Sequence, residues 1–217
     1  MKGGIIDGGR ERTRAAQQRS LDTRTALVAT ARQMFGEVGY HATGTGEIVA
    51  QAQVTRGALY HHFRNKEDLF EAVCRQVEHE VSTQAQAATL AMQGQTRQRA
   101  LATLRIYVEL LVSSRGVQRI LLVDGPAVLG GERWRSMRSE FEFAGWVRTL
   151  SLLRDQGQIG PLPIEPLAQI ILAAIDEAVL AVAHADDPAT MLADMAEALT
   201  ALIGGLTRYG PVEDHSA

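Results

Sequence analysis

The chain has one cysteine, six prolines and few aromatic side chains, which make up 5% of its 217 residues. Cys74 alone excludes an internal disulfide framework and suits a reducing compartment. Long apolar runs are missing too. The most apolar stretch, Leu167 to Ile175, is interrupted by Gln169 and stopped by Asp176 and Glu177, too short to span a bilayer. Met1 to Arg10 is rich in glycine, with only Ile5 and Ile6 adjacent, so no signal peptide is read there and a soluble, cytoplasmic protein is expected. Nucleophile–base pairs, metal-ligand spacings and phosphate-binding glycine loops are also lacking, so no catalytic residue, metal or cofactor is expected. His184 with Asp186 and Asp187 is the nearest thing to a metal motif, and a polar helix end explains it better.

What is present is helical periodicity. Residues 1–20 are polar, with no apolar period, and read as a disordered basic arm. From Asp22 to Val38, Leu27, Ala31, Phe35 and Val38 form one apolar stripe, closed by Gly39. A short helix over Glu47 to Ala52 follows, with Gly44 as N-cap and Glu47 folding back on it. Thr55 caps a third helix and Asn65 a fourth, whose Leu69, Val73 and Val77 face one way. Further helices are predicted over Thr96 to Ser113, Val117 to Val123, Glu132 to Gln156, Glu165 to Ala183 and Ala189 to Leu206. A turn at Asp124-Gly125-Pro126 and a loop from Gly157 to Pro163 interrupt them. No strand pattern competes, and the expected fold is all-α.

Charge is distributed unevenly along this helical chain. Between Arg10 and Lys66 nine Lys/Arg stand against four Asp/Glu; from Glu67 onward twelve stand against twenty. A basic N-terminal third on an acidic body points to a polyanion partner at one end. Residues 44–63 have the spacing of a helix-turn-helix, in which the second helix enters the major groove of DNA. Thr45 and Thr55 sit at helix starts, where hydroxyls and backbone N–H groups can hold phosphate. Arg56 can reach a phosphate or a guanine edge. Gly57 and Ala58 lack bulk, and Tyr60 and His61 offer hydrogen bonds, while Lys66 opens the next helix close by.

The residues in this segment resemble the TetR/AcrR family of transcriptional regulators. The resemblance rests on Gly39-Tyr40, Thr43, Glu47-Ile48-Val49, Val54-Thr55-Arg56-Gly57, Leu59-Tyr60-His61-His62-Phe63, and Lys66-Glu67 with Leu69-Phe70. Small, aromatic, basic and apolar positions all match in register. One departure is Gln53, where the family usually carries glycine before the turn valine. In a left-handed conformation Gln costs about 1 kcal/mol relative to glycine. The resemblance implies DNA contacts by Thr45, Thr55, Arg56, Gly57, Ala58, Tyr60, His61, His62 and Lys66, with a core role as the alternative for His62. It implies a palindromic double-stranded operator read in the major groove. It also implies an N-terminal three-helix DNA-binding domain over 21–81 and a larger helical ligand-binding and dimerisation domain over 82–217. The function implied is that of a homodimeric repressor released by an unidentified small molecule. An all-α enzyme or small-molecule carrier with an incidental helical hairpin is the rival.

The last two predicted helices are apolar over wide faces and carry Ala173, Ala174, Ala178, Ala181, Gly204 and Gly205, so they are the expected homodimer interface. Burial within one monomer is the alternative. Tyr107, Trp134, Phe141, Phe143 and Trp146 are aromatic candidates for a ligand cavity, and only some of them can face one space. Glu109, Asp124 and Glu140 could bind a cationic ligand but are more economically read as surface charges or local hydrogen-bond partners, and Cys74 could sense oxidants but is better read as a small buried filler.

Overall fold

The computed structural model describes residues 7–90, 92 and 96–206, the side chains of 7–10, 183 and 184 excepted. No strand occurs among the described residues. The helices are α1 (Asp7–Val38), α2 (Thr45–Gln51), α3 (Arg56–His62), α4 (Lys66–Leu90), α5 (Thr96–Ser113), α6 (Arg115–Gln118), α7 (Gly125–Leu129), α8 (Gly131–Asp155), α9 (Ile164–His184) and α10 (Pro188–Gly205), with a π-helical segment Arg119–Asp124 between α6 and α7. The chain divides into two compact units inside α4, between Cys74 and Arg75, earlier than the domain boundary at 81 expected from sequence.

In the first unit, Leu27, Ala31 and Phe35 of α1 are fully buried, as are Ile48, Leu59, Leu69 and Phe70. The Phe35 and Phe70 rings pack edge to face, 5.1 Å between centroids, with Tyr40 against both. Burying each such phenylalanine is worth roughly 1.5–3 kcal/mol. The stripe stops one turn short of expectation: Val38 is 55% exposed. Gly39 takes φ +91 and sends the chain away before Val38 can reach the core.

The arm is a second correction. Of residues 1–20, those from Asp7 onward continue α1 as helix, and residues 1–6 lie outside the described set. Residues 11–19 are exposed. Their Arg, Ala, Gln and Glu content, free of proline and glycine after Gly9, favours helix on intrinsic propensity without any apolar stripe to announce it.

In the second unit, the stretch read as a helix ending in a turn is continuous helical structure. The π segment buries Ile120, Leu121 and Leu122 in succession, and Pro126 sits in the first turn of α7, where a missing N–H costs nothing. Gly125 is needed for contact rather than for a turn: a Cβ there would lie 2.9 Å from Trp134 Cδ1 and 3.0 Å from the Ile120 carbonyl. The α8–α9 connection includes Gly157 at φ +68. Asp187 caps α10 by accepting from the Ala189 and Thr190 amides at 3.2 and 3.3 Å. That accounts for Asp187 in the weak metal motif; the side chain of His184 lies outside the described residues.

The helices expected to dimerise divide their faces. Ile171, Ala178 and Val182 of the α9 stripe, and Leu199 of the α10 stripe, are buried within the unit. Ile170 (61%) and Leu202 (46%) are exposed instead, with Ala173 beside the former.

Candidate nucleic-acid interface and effector cavity

The helix-turn-helix is built by local capping. The Glu47 carboxylate accepts from the Gly44 amide at 3.1 Å, closing the start of α2. Thr55 Oγ1 accepts from the Ala58 amide at 3.1 Å, starting α3, and the Val54 amide bonds the Val49 carbonyl at 3.1 Å across the turn. Gln53 has φ +55, the left-handed conformation that sequence reading flagged. Val54 is half-buried beneath it. Asn65 Oδ1 caps α4 through the Asp68 amide at 2.8 Å.

These caps leave one face of α3 toward solvent. Leu59 and Phe63 are buried on the inner face, whereas Thr55, Arg56, Gly57, Tyr60 and His61 are exposed. Tyr60 is 47% exposed, and its hydroxyl is pulled below its usual pKa by hydrogen bonds with Arg56 and then Thr45. The Arg56 guanidinium lies 5.9 Å from the Tyr60 ring centre. Thr45, Arg56 and Tyr60 thus form one polar cluster across α2 and α3. Lys66 is half-buried, its ammonium 4.1 Å above the Tyr40 ring. His62 is half-buried and its pKa is lowered, by burial first and then by His61 and Arg24. It stands apart from the exposed set. Ala58 is half-buried as well.

Gly57 and Gly46 carry a different message. Neither has positive φ. A Cβ at Gly57 would meet nothing nearer than Thr55 Oγ1 at 3.8 Å, and one at Gly46 would meet nothing within 4 Å. The folded chain itself has no steric need for either glycine, although each costs up to about 1 kcal/mol of helix propensity relative to alanine.

The second unit holds a cavity of about 380 Å³ lined by α4, α5, α8 and α9. Tyr107 and Trp146 line it as expected; Trp134 and Phe141 do not, nor does Phe143. Trp134 is only 2% exposed, donates its indole N–H to the Leu121 carbonyl at 2.7 Å and lies against the Arg138 guanidinium. Phe141 packs on His79. Helical phase separates them: positions 134 and 141 are displaced around α8 from the face that carries Glu142, Trp146 and Thr149. Glu109 pairs with Arg105 at 2.8 Å and Glu140 with Arg75 at 2.5 Å, both on exposed surface. Cys74 is fully buried.

Sequence reading missed the polar cluster beneath the cavity. Glu78 of α4 and Arg138 of α8 are almost completely buried. The Tyr107 hydroxyl donates to Glu78 Oε1 at 2.5 Å and accepts from Arg138 Nη2 at 2.6 Å. Arg138 also lies 3.3 Å from Glu78 Oε2 and 2.8 Å from Asp176 Oδ1 of α9. Burial works against the guanidinium's charge, but Tyr107, Glu78, Asp176 and Glu142 outweigh it and hold Arg138 well above its ordinary pKa. Burial pushes the Glu142 carboxyl up to about 8, with the nearby Glu78 charge adding to it. The available signal was an arginine, Arg138, four residues after Trp134 on the face of α8 turned inward.

Comparison with known proteins agrees with this division. Residues 27–73 match the model for bacterial regulatory proteins of the tetR family, and residues 97–206 match the tetracyclin repressor-like C-terminal domain. The TetC protein of transposon Tn10 from Escherichia coli is 45% identical over 60 residues, 28% of this chain and 30% of TetC. The transcriptional regulator QacR of Staphylococcus aureus is 40% identical over 50 residues, 23% of this chain and 27% of QacR. These matches therefore span less than a third of those relatives. A TetR-family transcriptional regulator from Pectobacterium atrosepticum is similar throughout, at 34% identity and TM-score 0.75, covering 87% of this chain and 96% of that one. With a reading head matched at one end, a C-terminal domain over half the chain at the other, and a homologous structure spanning both, the chain belongs to the TetR family of bacterial regulatory proteins.

Proposed function

We propose that the protein is a DNA-binding transcriptional repressor that acts as a homodimer and leaves its operator when a small molecule fills the cavity of the second unit. The observation that carries this reading is the solvent-facing cluster of Thr45, Arg56 and Tyr60 on α2 and α3, beside a glycine that internal packing does not require. In this reading α3 lies in the major groove. Thr45, Thr55, Tyr60 and Lys66 hold phosphates, Arg56 and His61 address base edges, and Gly57 and Ala58 let the helix backbone come close. His62, half-buried, orients the helix from beneath or touches the backbone.

Homodimer formation through α9 and α10 is supported by the exposure of Ile170 and Leu202 among the described residues. Two reading heads are also what useful sequence specificity demands. Release follows from population shift: an effector that binds better to the protomer arrangement unsuited to DNA draws the population toward it. Tyr107 lines the cavity and holds Glu78 of α4, the helix whose first residues belong to the DNA-binding unit, so α4 is the lever.

The test is selection of fragments from a random DNA pool by the purified protein at low salt, followed by a search for compounds that release them. Recovered fragments should carry inverted repeats with half-site centres roughly 34 Å, or a multiple, apart. A pool that shows no enrichment would overturn the reading.

A further inference from the structure

The polar floor of the cavity is short of positive charge. Three carboxyl groups, Glu78, Glu142 and Asp176, meet one guanidinium, that of Arg138. Its contacts go to Glu78, Asp176 and the Tyr107 hydroxyl. Of the three acids, Glu142 is the one that lines the cavity, and among the described residues it makes no ion pair within 4 Å. The Tyr107 hydroxyl is its hydrogen-bond neighbour, but that hydroxyl spends its one proton on Glu78 and carries no charge. Glu142 is therefore a half-buried acid without a cation of its own, and its carboxyl, raised to about 8, keeps its proton at neutral pH. A buried carboxylate becomes favourable once a cation is placed against it.

The remaining walls suit the same occupant. Trp146 and Tyr107 present aromatic rings, which attract a cation through their faces. Leu104, Leu152 and Ile175 provide apolar surface. Arg99 and Arg148 also lie along the lining, but both residues are exposed and their charge is screened by water. The volume of about 380 Å³ falls within the range of drug-sized sites.

We propose that this cavity takes an amphipathic organic cation, an amine or quaternary ammonium, with its charged head against Glu142 between Tyr107 and Trp146 and its hydrocarbon part on Leu104, Leu152 and Ile175. The assignment rests on reading this cavity as the effector site.

Three probes of one shape and different charge test it by calorimetry on the full chain: phenylbutyltrimethylammonium, phenylbutanol and phenylbutanoate. The ammonium should bind at least about tenfold more tightly than the alcohol, and the carboxylate most weakly. Binding of the ammonium near neutral pH should release about one proton per site, read from the dependence of the heat on buffer ionisation enthalpy. Glu142→Gln should still bind the alcohol but lose both the preference and the proton release. The proposal is overturned if the carboxylate binds as tightly as the ammonium, if Glu142→Gln keeps the preference, or if the ammonium fails to bind at millimolar concentration. None of these readouts involves DNA. An ammonium that binds as described and leaves the operator complex intact would remove the release model and spare the site assignment. A carboxylate that releases DNA where the ammonium does not would do the reverse.

Discussion

The Tyr107 hydroxyl donates to Glu78 Oε1 across 2.5 Å, and so ties α5, on the cavity wall, to a fully buried carboxylate of α4. Tyr107→Phe keeps the ring and removes only this hydroxyl. It strands Glu78 and one arm of Arg138, so stability in urea should fall by about 1–3 kcal/mol. If Tyr107 also transmits occupancy of the cavity, more effector will be needed to release DNA from the variant than its change in effector affinity accounts for.

Gly57 separates folding from recognition. Gly57→Ala should raise stability by about 0.5–1 kcal/mol, because the helix gains propensity and the added methyl meets no clash. Operator affinity should fall in the same variant, because that methyl stands where the helix approaches DNA. Thermal unfolding and gel-shift titration on one preparation give both signs. A variant that gains stability and loses no affinity would remove Gly57 from the interface.

Phosphate contacts are read from salt. Arg56→Ala and Lys66→Ala should each weaken operator binding and lower the slope of log K against log salt by about one unit. An unchanged slope would take that side chain off the DNA. For Lys66, which is half-buried, the loss of stem packing must be separated from the loss of charge, and Lys66→Met does so by keeping the stem.

Much of the first unit was legible because its signals are local. The caps at Gly44, Thr55 and Asn65 depend on residues three positions away, and the structure has them where the spacing placed them; the left-handed turn at Gln53 was signalled by the family resemblance alone. Partition of apolar faces was not legible. Ile170 and Ile171 are neighbours of identical chemistry, yet one is 61% exposed and the other 1%. Only the packing of other helices decides which is which. Glu78 and Arg138 escaped notice for the same reason, since sixty residues of chain separate partners that are meaningful only together. Trp134 and Phe141 illustrate how an aromatic cluster in sequence spreads around a helix in space.

Glu142 makes stability depend on pH with a definite sign. Its carboxyl titrates near 4.5 when unfolded and at about 8 when folded, so the folded state binds the extra proton between those values. Stability is therefore complete below about pH 4.5, as far as this group is concerned, and falls as pH rises toward 8, by at most about 1.4 kcal/mol per pH unit. Asp176, raised by burial, acts in the same direction; Glu78, Arg138 and Tyr107 are the other groups facing Glu142. Glu142→Gln should flatten the fall between pH 5 and 8 in urea melts. A slope equal to that of the unmodified chain would mean that Glu142 is ionised in the empty protein.

The dimer is tested on the exposed apolar pair. Ile170→Glu and Leu202→Glu change residues that are 61% and 46% exposed in one protomer, so each monomer should keep its stability to within about 0.5 kcal/mol. Sedimentation should show dissociation, and operator binding should weaken with it. Variants that remain dimers would move the interface off this face.

The helices α2 and α3 have seven residues each. An isolated helix of that length does not persist in water, however well it is capped. The reading surface therefore possesses no shape of its own. It borrows one from Leu27, Phe35 and Phe70, none of which can touch a base. A peptide cut to residues 44–66 would hold every side chain assigned to DNA and recognise nothing, and a defect behind the surface would be mistaken, in a binding assay, for a defect upon it.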